Sequence, residues 1–470
     1  MEFVVCVGKK FGIDTVDGIP WYQVFQEKIQ KISDIAGIMI MDMKTFDYIG
    51  KSPVHDHRLT TVVVTEQPIR SVNKNLMFLS IDECFKYVKD SVYTTTPVYV
   101  IGGNNMYRLF NKHVKVIHMT EVRHDQSYNF SNYFDNVDAS FQIVDTTGPH
   151  KFEYASLKGG CGWTYWDIIY MKKEEGYDDG MSHDKTYLTM CKKVLHEGHE
   201  RTDRTGTGTI SIFGEQMKFD IRTSIPILTS KRIPWKSCIE ELLWFLRGDT
   251  DANILSDKGV KIWNSNSSRS FLDDVGLSHL KEGDCGANYS FQWRHFGAEY
   301  TQADTNYQGN GVDQIQMIED LLKTDPYSRR IFMSAWNPCD LKKTVLPPCH
   351  VSAQFYVDHL NLLHCHMYQR SCDMFLGVPW NILSYSVLTY ILAKRHGYKP
   401  GTLTMSLGDA HVYKDHVKQM HTQLQRQPLC APQLFISDDV IHKRWDDVCI
   451  DDFEVVGYFY HPSIYGKMSA

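Results

Sequence analysis

The residues best suited to chemistry lie in the second half of the chain, around "LPPCHV", residues 346–351. Two prolines stiffen the backbone ahead of Cys349, which suits an exposed thiol nucleophile. A cysteine by itself is usually a small buried hydrophobe. Here "YQRSCD" (368–373) supplies Arg370, whose charge would favour the thiolate if the two segments approach. "RTDRTGTG" (201–208) and "SRR" (328–330) add further arginines, whose planar fork matches a phosphate. The combination points to nucleophilic chemistry beside an anionic ligand.

These segments belong to a longer series. "DRTGTGTISIFG", "IEELLWFLRGDT", "VKIWN", "FQWRHFGAEY", "RR", "LPPCH", "YQRSCDMFLGVPWN" and "GDAHVY" follow one another over residues 183–470. In that order they resemble the thymidylate synthase family. The resemblance implies that Cys349 attacks C6 of deoxyuridylate (dUMP), making C5 nucleophilic toward 5,10-methylenetetrahydrofolate. It implies phosphate contacts from Arg204, Arg370 and Ser371, and from Arg329 and Arg330 of a second subunit, hence a homodimer. Asn381 would hold the uracil amide edge, Asp373 would order the far side of the pocket, and His411 and Tyr413 would bind the ribose hydroxyl. Glu241 would relay protons through water, with Tyr289, His350 and Gln369 lining the nucleotide site. Trp263, Asp373 and Gly377 would face the folate.

Taken singly, Trp263 and Tyr289 read as core aromatics, His411 as a satisfied histidine and Glu241 as a solvated helix residue. The ordered motifs favour the functional reading. Two positions depart from the family pattern: Asn264 stands where Asp is frequent, and Trp380 where Phe is usual. Both keep the polar or aromatic character. The Asn381 amide can donate to O4 and accept from N3–H of uracil, whereas a carboxylate there would suit cytosine, as in the related hydroxymethylases.

In the first half, "VYVIGGNNMY" (98–107) reads as strand, paired glycines and helix, a turn that lets backbone N–H groups approach a phosphate. Together with "GIPW", "IMIMDMKTF", "HRLTTVVVT" and "VIHMTEV", it resembles dihydrofolate reductase over residues 1–172. The resemblance implies NADPH held by Gly12, Ile13, Lys44, Thr45, Gly102 and Gly103, with Glu27 as the acid. Thr120 would order that acid, and Arg58 would pair with the folate glutamate. A reductase fused to a synthase makes chemical sense, because the synthase releases the dihydrofolate that the reductase recycles. Such fusions form a known bifunctional family.

The departures are concentrated in this half. Asp14 replaces a loop glycine, though Asp tolerates positive φ better than most residues. Met43 replaces an arginine, removing a charge-assisted bond worth ~1.5–3 kcal/mol to the NADPH 2′-phosphate. Asp42 adds repulsion nearby, so weakened NADPH binding is expected. Glu27 lies six residues after Trp21, the family's acid spacing, but Lys28 and Lys31 stand where apolar residues are usual. At about 100° per residue, Glu27 points roughly 140–200° away from the stripe of Phe25, Ile29 and Ile32. It shares a face with Lys31 instead, in i,i+4 spacing. A neighbouring lysine favours a charged carboxylate, whereas a proton donor needs a neutral one. Moving the register by one recovers Ile29 and Ile32 as pocket contacts but puts Lys28 in the acid's place. A second reading therefore makes this half a non-catalytic assembly or ligand-binding module.

The elements that must position these groups follow from local pattern. The first half alternates β-rich runs (2–7, 36–41, 61–65, 97–101, 114–120, 163–171) with helical stretches (23–33, 81–90, 104–111), an α/β sheet with crossover helices. Residues 173–182, charged and aperiodic, read as a linker. The rest is α+β, with helices at 235–248 and 379–396 and strands at 330–336, 351–357 and 361–369. Over 470 residues, 43% hydrophobic and 23% charged residues with a net charge of −6 describe a globular protein, not a general nucleic-acid binder. No apolar run approaches a membrane span, and the N-terminus reads as a strand, not a secretory signal. The 12 cysteines form no metal motif, so no metal and a reducing, cytoplasmic setting are expected.

Overall fold

A computed structural model describes residues 1–7, 12–15, 22–33, 37–49, 59–66, 69–71, 73–92, 96–123, 130–134, 137–153, 162–173, 183–203 and 206–468. The chain forms two compact units that divide between Tyr177 and Asp178.

In the first unit the elements are β1 (Glu2–Val7), β2 (Gly12–Thr15), α1 (Tyr22–Ser33), β3 (Gly37–Asp42), α2 (Met43–Ile49), β4 (Leu59–Val64) and β5 (Leu76–Leu79). They continue with α3 (Ile81–Val92), β6 (Val98–Ile101), α4 (Asn104–Phe110), β7 (Val116–Arg123), β8 (Phe130–Tyr133), β9 (Phe141–Glu153) and β10 (Gly162–Lys172). An eight-stranded sheet runs β5-β4-β3-β6-β1-β7-β10-β9. Neighbours from β5 to β7 are parallel, while β10 runs antiparallel to β7 and β9. Parallel strands covered on both faces need unbroken apolar runs, and β1 is buried from Phe3 to Val7. On one face Val24, Phe25 and Ile29 of α1 pack with Val4, Cys6, Met39 and Met41. That phase sets which α1 side chains can reach the sheet.

The second unit begins with α5 (His183–Glu197), β11 (His199–Arg201), β12 (Thr209–Asp220), α6 (Trp235–Arg247), α7 (Ala252–Asp257), α8 (Arg269–Asp274), α9 (Tyr289–His295) and α10 (Gln314–Thr324). It ends with β13 (Phe332–Ser334), β14 (His350–Val357), β15 (Leu362–Asp373), α11 (Gly377–Arg395), β16 (Lys399–Tyr413), α12 (Val417–Leu424), β17 (Gln433–Ile436) and β18 (Phe453–Val456). Its six-stranded sheet runs β11-β12-β16-β15-β14-β13, with only β15 and β16 parallel. Ala353, Phe355, Cys365, Met367 and Met405 face a core shared with α6 and α11. The opposite face exposes Phe332, Tyr356 and Tyr368. β2, α2, β5 and β8, each four to seven residues long, had no clear sequence signal, and the 13-residue β9 was also not among the expected strands.

Candidate active sites

Cys349 stands one residue ahead of β14, held outside the strand by Pro347 and Pro348. Its backbone N–H donates to Tyr289 Oη at 2.6 Å. Asn288 caps α9 by accepting from the N–H groups of Ser290 and Phe291, which fixes Tyr289 as the first helical residue. The Tyr289 ring stacks on His350, 3.9 Å between centroids and 8° from parallel. His350 Nδ1 lies 2.9 Å from Tyr385 Oη, and burial pushes this imidazole down to about 3. It is neutral at any working pH.

β14 and β15 bring Arg370 to the nucleophile. Its backbone N–H donates to Cys349 O at 2.8 Å. Its guanidinium donates to the carbonyls of Pro348 and Pro347, each at 2.7 Å, and lies over Trp336, 5.3 Å from the ring centre. Arg370 thus braces the cysteine loop as well as charging it. Burial pushes the Cys349 thiol up; Arg370 and hydrogen bonds to Tyr289 and Ser371 pull it part of the way back, against Asp373. The net shift is upward. The expected pull of Arg370 is present, but burial outweighs it, and the resting group is a thiol.

Glu241, on the inward face of α6, is buried. Oε1 accepts from Trp263 Nε1 at 2.7 Å and Oε2 from Trp380 Nε1 at 2.6 Å. Burial raises its carboxyl to about 7 despite both indole bonds. A carboxyl poised there can take or give a proton near neutral pH. Trp263 therefore orients the carboxylate, beyond any stacking on folate.

The other expected residues surround this centre. Gln369 is buried; its amide N–H donates to Ser371 O at 3.0 Å while Oε1 has no protein partner. Asp373 Oδ1 accepts from Phe375 N–H at 2.9 Å and Leu376 N–H at 3.3 Å, turning the chain into α11. A Cβ on Gly377 would lie 3.7 Å from Asp373 Cβ and 3.9 Å from Asn381 Oδ1, which places those two side chains at one helix entrance. His411 meets Tyr413 edge-on at 5.2 Å. Burial draws the His411 imidazole down, but Asp409 and Asp373 outweigh it and the net shift is upward. Arg329 and Arg330 are exposed, and Arg329 borders a groove with Tyr356 and His366 on the open sheet face. Arg204 lies outside the described residues.

Sequence reasoning missed Trp336, Tyr385 and the bond from Trp380. Only the last carried a signal: an indole in an apolar pocket needs an acceptor.

In the first unit the polar centre differs from expectation. Glu27 is exposed, and Lys28 turns inward, its Nζ 2.5 Å from Asp167 Oδ2 on β10. Thr120 Oγ1 donates to Asp167 Oδ1 at 2.7 Å. The hydroxyl expected to order Glu27 thus orders Asp167. The physical reason is helical phase: with Phe25 and Ile29 buried on the sheet, Lys28 faces the strands and Glu27 faces solvent. The Lys31 side chain and Arg58 lie outside the described residues.

A second cavity is lined by Cys6, Ile13, Phe25, Lys44, Thr45, Gly102 and Gly103. Gly102 and Gly103 adopt φ of 87° and 68°, open to glycine. A Cβ on Gly103 would lie 2.0 Å from Asp42 Oδ2, so a carboxylate occupies this turn; its Oδ1 accepts from Thr45 N–H at 2.8 Å. The Gly102 N–H donates to Tyr107 Oη at 2.8 Å. Lys44, Thr45 and the glycine turn fit a dinucleotide, while Asp42 opposes its phosphates. Gly12 shares β2 with Ile13. Among the described residues no cluster could hold a metal ion.

A thiol on a braced loop, an arginine beside it and a carboxyl held near neutrality suit nucleophilic and proton-transfer chemistry, in one chain with a mostly parallel sheet that carries a glycine turn. The thymidylate synthase family model matches residues 185–470 and the dihydrofolate reductase model residues 1–157. The bifunctional dihydrofolate reductase-thymidylate synthase of Paramecium tetraurelia is 39% identical over 97% of this chain and 96% of its own length. That of Zea mays is 36% identical over 100% and 96%. The thymidylate synthase of Homo sapiens is 50% identical over 60% of this chain and 90% of its own. The chain belongs to the bifunctional dihydrofolate reductase–thymidylate synthase family.

Proposed function

We propose that the synthase unit converts dUMP to dTMP through a Cys349 adduct, and that the reductase unit returns dihydrofolate to tetrahydrofolate with NADPH. The observation that carries the first reaction is that Tyr289 accepts from the Cys349 N–H and also faces Glu241, so that the thiol loop braced by Arg370 and the raised carboxyl share one neighbour. Cys349 Sγ adds to C6 of the pyrimidine as the C5=C6 π bond opens toward O4, and the thiol proton lost in that addition balances the one O4 takes up; Arg370 and Ser371 hold the phosphate beside it, joined by Arg204. Asn381 reads the amide edge, and Gln369 Oε1, buried without a protein partner, is available to the nucleotide. His411 and Tyr413 take the ribose. Glu241 moves protons at O4, and Trp263 and Gly377 border the folate. 5,10-Methylenetetrahydrofolate supplies the carbon and the hydride.

The full-length likeness to bifunctional enzymes disfavours the reading of the first unit as a mere assembly module. Lys44, Thr45 and Gly103 hold the NADPH phosphates, weakly because of Asp42 and Met43. We infer a homodimer through the open face of the six-stranded sheet. Along one row of that face Phe332 pairs with Gln354, Gln354 with His366, His366 with Thr404 and Thr404 with Lys218. Exposed aromatics on a sheet face need a cover, and Arg329 at its border can reach a neighbouring phosphate. Among the described residues no helix is long and apolar enough to cross a membrane. The described cysteines are free thiols, which supports a reducing, cytoplasmic setting. The test is dTMP formation from dUMP and methylenetetrahydrofolate, with NADPH oxidation by dihydrofolate followed separately. Absence of the first overturns the synthase assignment; absence of the second overturns the reductase assignment alone.

A further inference from the structure

Trp380 enters Glu241's environment from a different element than Trp263 does. Its indole lies in the first turn of α11, one residue before Asn381, and donates to Glu241 Oε2 at 2.6 Å. One helical turn before Glu241, Cys238 Sγ donates to the Trp380 carbonyl at 3.4 Å. The tryptophan is thus tied to α6 at two points, by its side chain and by its backbone. Trp263 holds the other carboxylate oxygen, Oε1, at 2.7 Å. Each oxygen has one indole donor, so the carboxylate plane cannot rotate without losing both bonds. A phenylalanine, usual at this position, can fill the space but cannot donate.

We propose that Trp380 is a positioning residue for the proton relay: it clamps Glu241 Oε2 and locks the relay carboxylate to the helix turn that reads the pyrimidine. The inference rests on the assignment of Glu241 as the relay. The titratable groups facing Glu241 are Cys238 on its own helix, Cys285 on the loop before α9, and Tyr289 on α9. Burial holds all three well above their ordinary values, and His350 behind Tyr289 is neutral. Glu241 is therefore the group of this set that changes charge near neutrality. An indole N–H bonds the ionised carboxylate more strongly than the protonated one, so its removal favours the proton.

The experiment is Trp380→Phe in the full-length chain, with kcat and KM for dUMP measured across pH. The acid limb of kcat should move upward by about one pH unit, a roughly tenfold loss on that limb that recovers at alkaline pH. KM for dUMP should change less than about threefold, since Asn381 keeps its place. Trp380→His, which retains a ring N–H, should restore part of the shift. A uniform loss at every pH, or an unchanged limb in a folded Trp380→Phe protein, overturns the proposal. Glu241→Gln run in parallel separates the two assignments: near-normal turnover there removes the relay itself, whatever Trp380→Phe does.

Discussion

Glu241 and Asp167 are each held by two side-chain donors, yet the donors differ in charge. Glu241 has two indoles, which supply hydrogen bonds without a countercharge. Burial then dominates and lifts its carboxyl to about 7. Asp167 has a hydroxyl and an ammonium, and Lys28 supplies the opposite charge directly. Neutral donors orient a carboxylate and leave it able to exchange protons; a cation at contact distance anchors it. The synthase unit therefore holds a buried carboxyl without a countercharge, and the reductase unit has an ion pair beside Thr120.

The comparison breaks most visibly at the nucleophile. Cys349→Ser should abolish dTMP formation while dUMP binding remains measurable by calorimetry, since the phosphate contacts are untouched. Residual turnover near wild type would remove Cys349 from the mechanism. Glu241→Gln should come next, lowering kcat by about 10²–10⁴ with little change in dUMP affinity.

The same substitution has a stability signature with a definite sign. Folded Glu241 keeps its proton up to about pH 7, while unfolded it ionises near 4.5. Between those values the unfolded chain binds fewer protons, so stability falls as pH rises. Glu241→Gln should thus gain on wild type as pH rises, by about 3 kcal/mol between pH 4.5 and pH 8, over a constant cost because its amide NH2 cannot accept from the second indole. Urea denaturation of the synthase transition at the two pH values measures it. A gap that does not grow with pH would show that Glu241 is not held against ionisation.

How much of this was legible beforehand differs between the units for a physical reason. In the synthase unit the motifs contain both the reactive group and what fixes it: the prolines before Cys349, the arginine on the adjoining strand, the helix carrying Glu241. Trp380 was readable as an aromatic with an N–H to place, but its acceptor was not, because Glu241 lies 139 residues away. In the reductase unit the helical phase was readable from Phe25 and Ile29, and it already put Glu27 on the far side. That Lys28 meets Asp167 was not, since the pair joins residues 139 apart through a strand register. The short elements β2, α2, β5 and β8 offer too few residues for a period to show.

A smaller effect is expected at the cofactor turn. Met43→Arg should lower KM for NADPH roughly tenfold, the effect of about 1.4 kcal/mol from a restored charge-assisted bond. Asp42 limits the gain, because its carboxylate sits against the Gly103 turn. Steady-state kinetics with NADPH against NADH measures it: the gain should appear for NADPH alone, and an equal gain for both would show that the introduced guanidinium does not meet the 2′-phosphate.

The smallest effect bears most directly on the contrast between the two carboxylates. Lys28 and Asp167 keep 12% and 29% of their side-chain surface exposed, so water screens the pair in part. A double-mutant cycle of Lys28→Met and Asp167→Asn should give a coupling of about 1–2 kcal/mol in the reductase unit's unfolding transition. Each single change leaves a half-buried group without its partner; the double change leaves none, and should recover much of the loss. In Lys28→Met the Thr120 bond to Asp167 persists and His150 Nε2 stays 3.9 Å from Oδ2, but the ammonium in contact is gone. If NADPH oxidation then rises, the ion pair was holding back a carboxylate capable of acid chemistry. If it falls with stability and the coupling is present, the pair is the anchor that its geometry describes, and a coupling near zero would dissolve the contrast with Glu241.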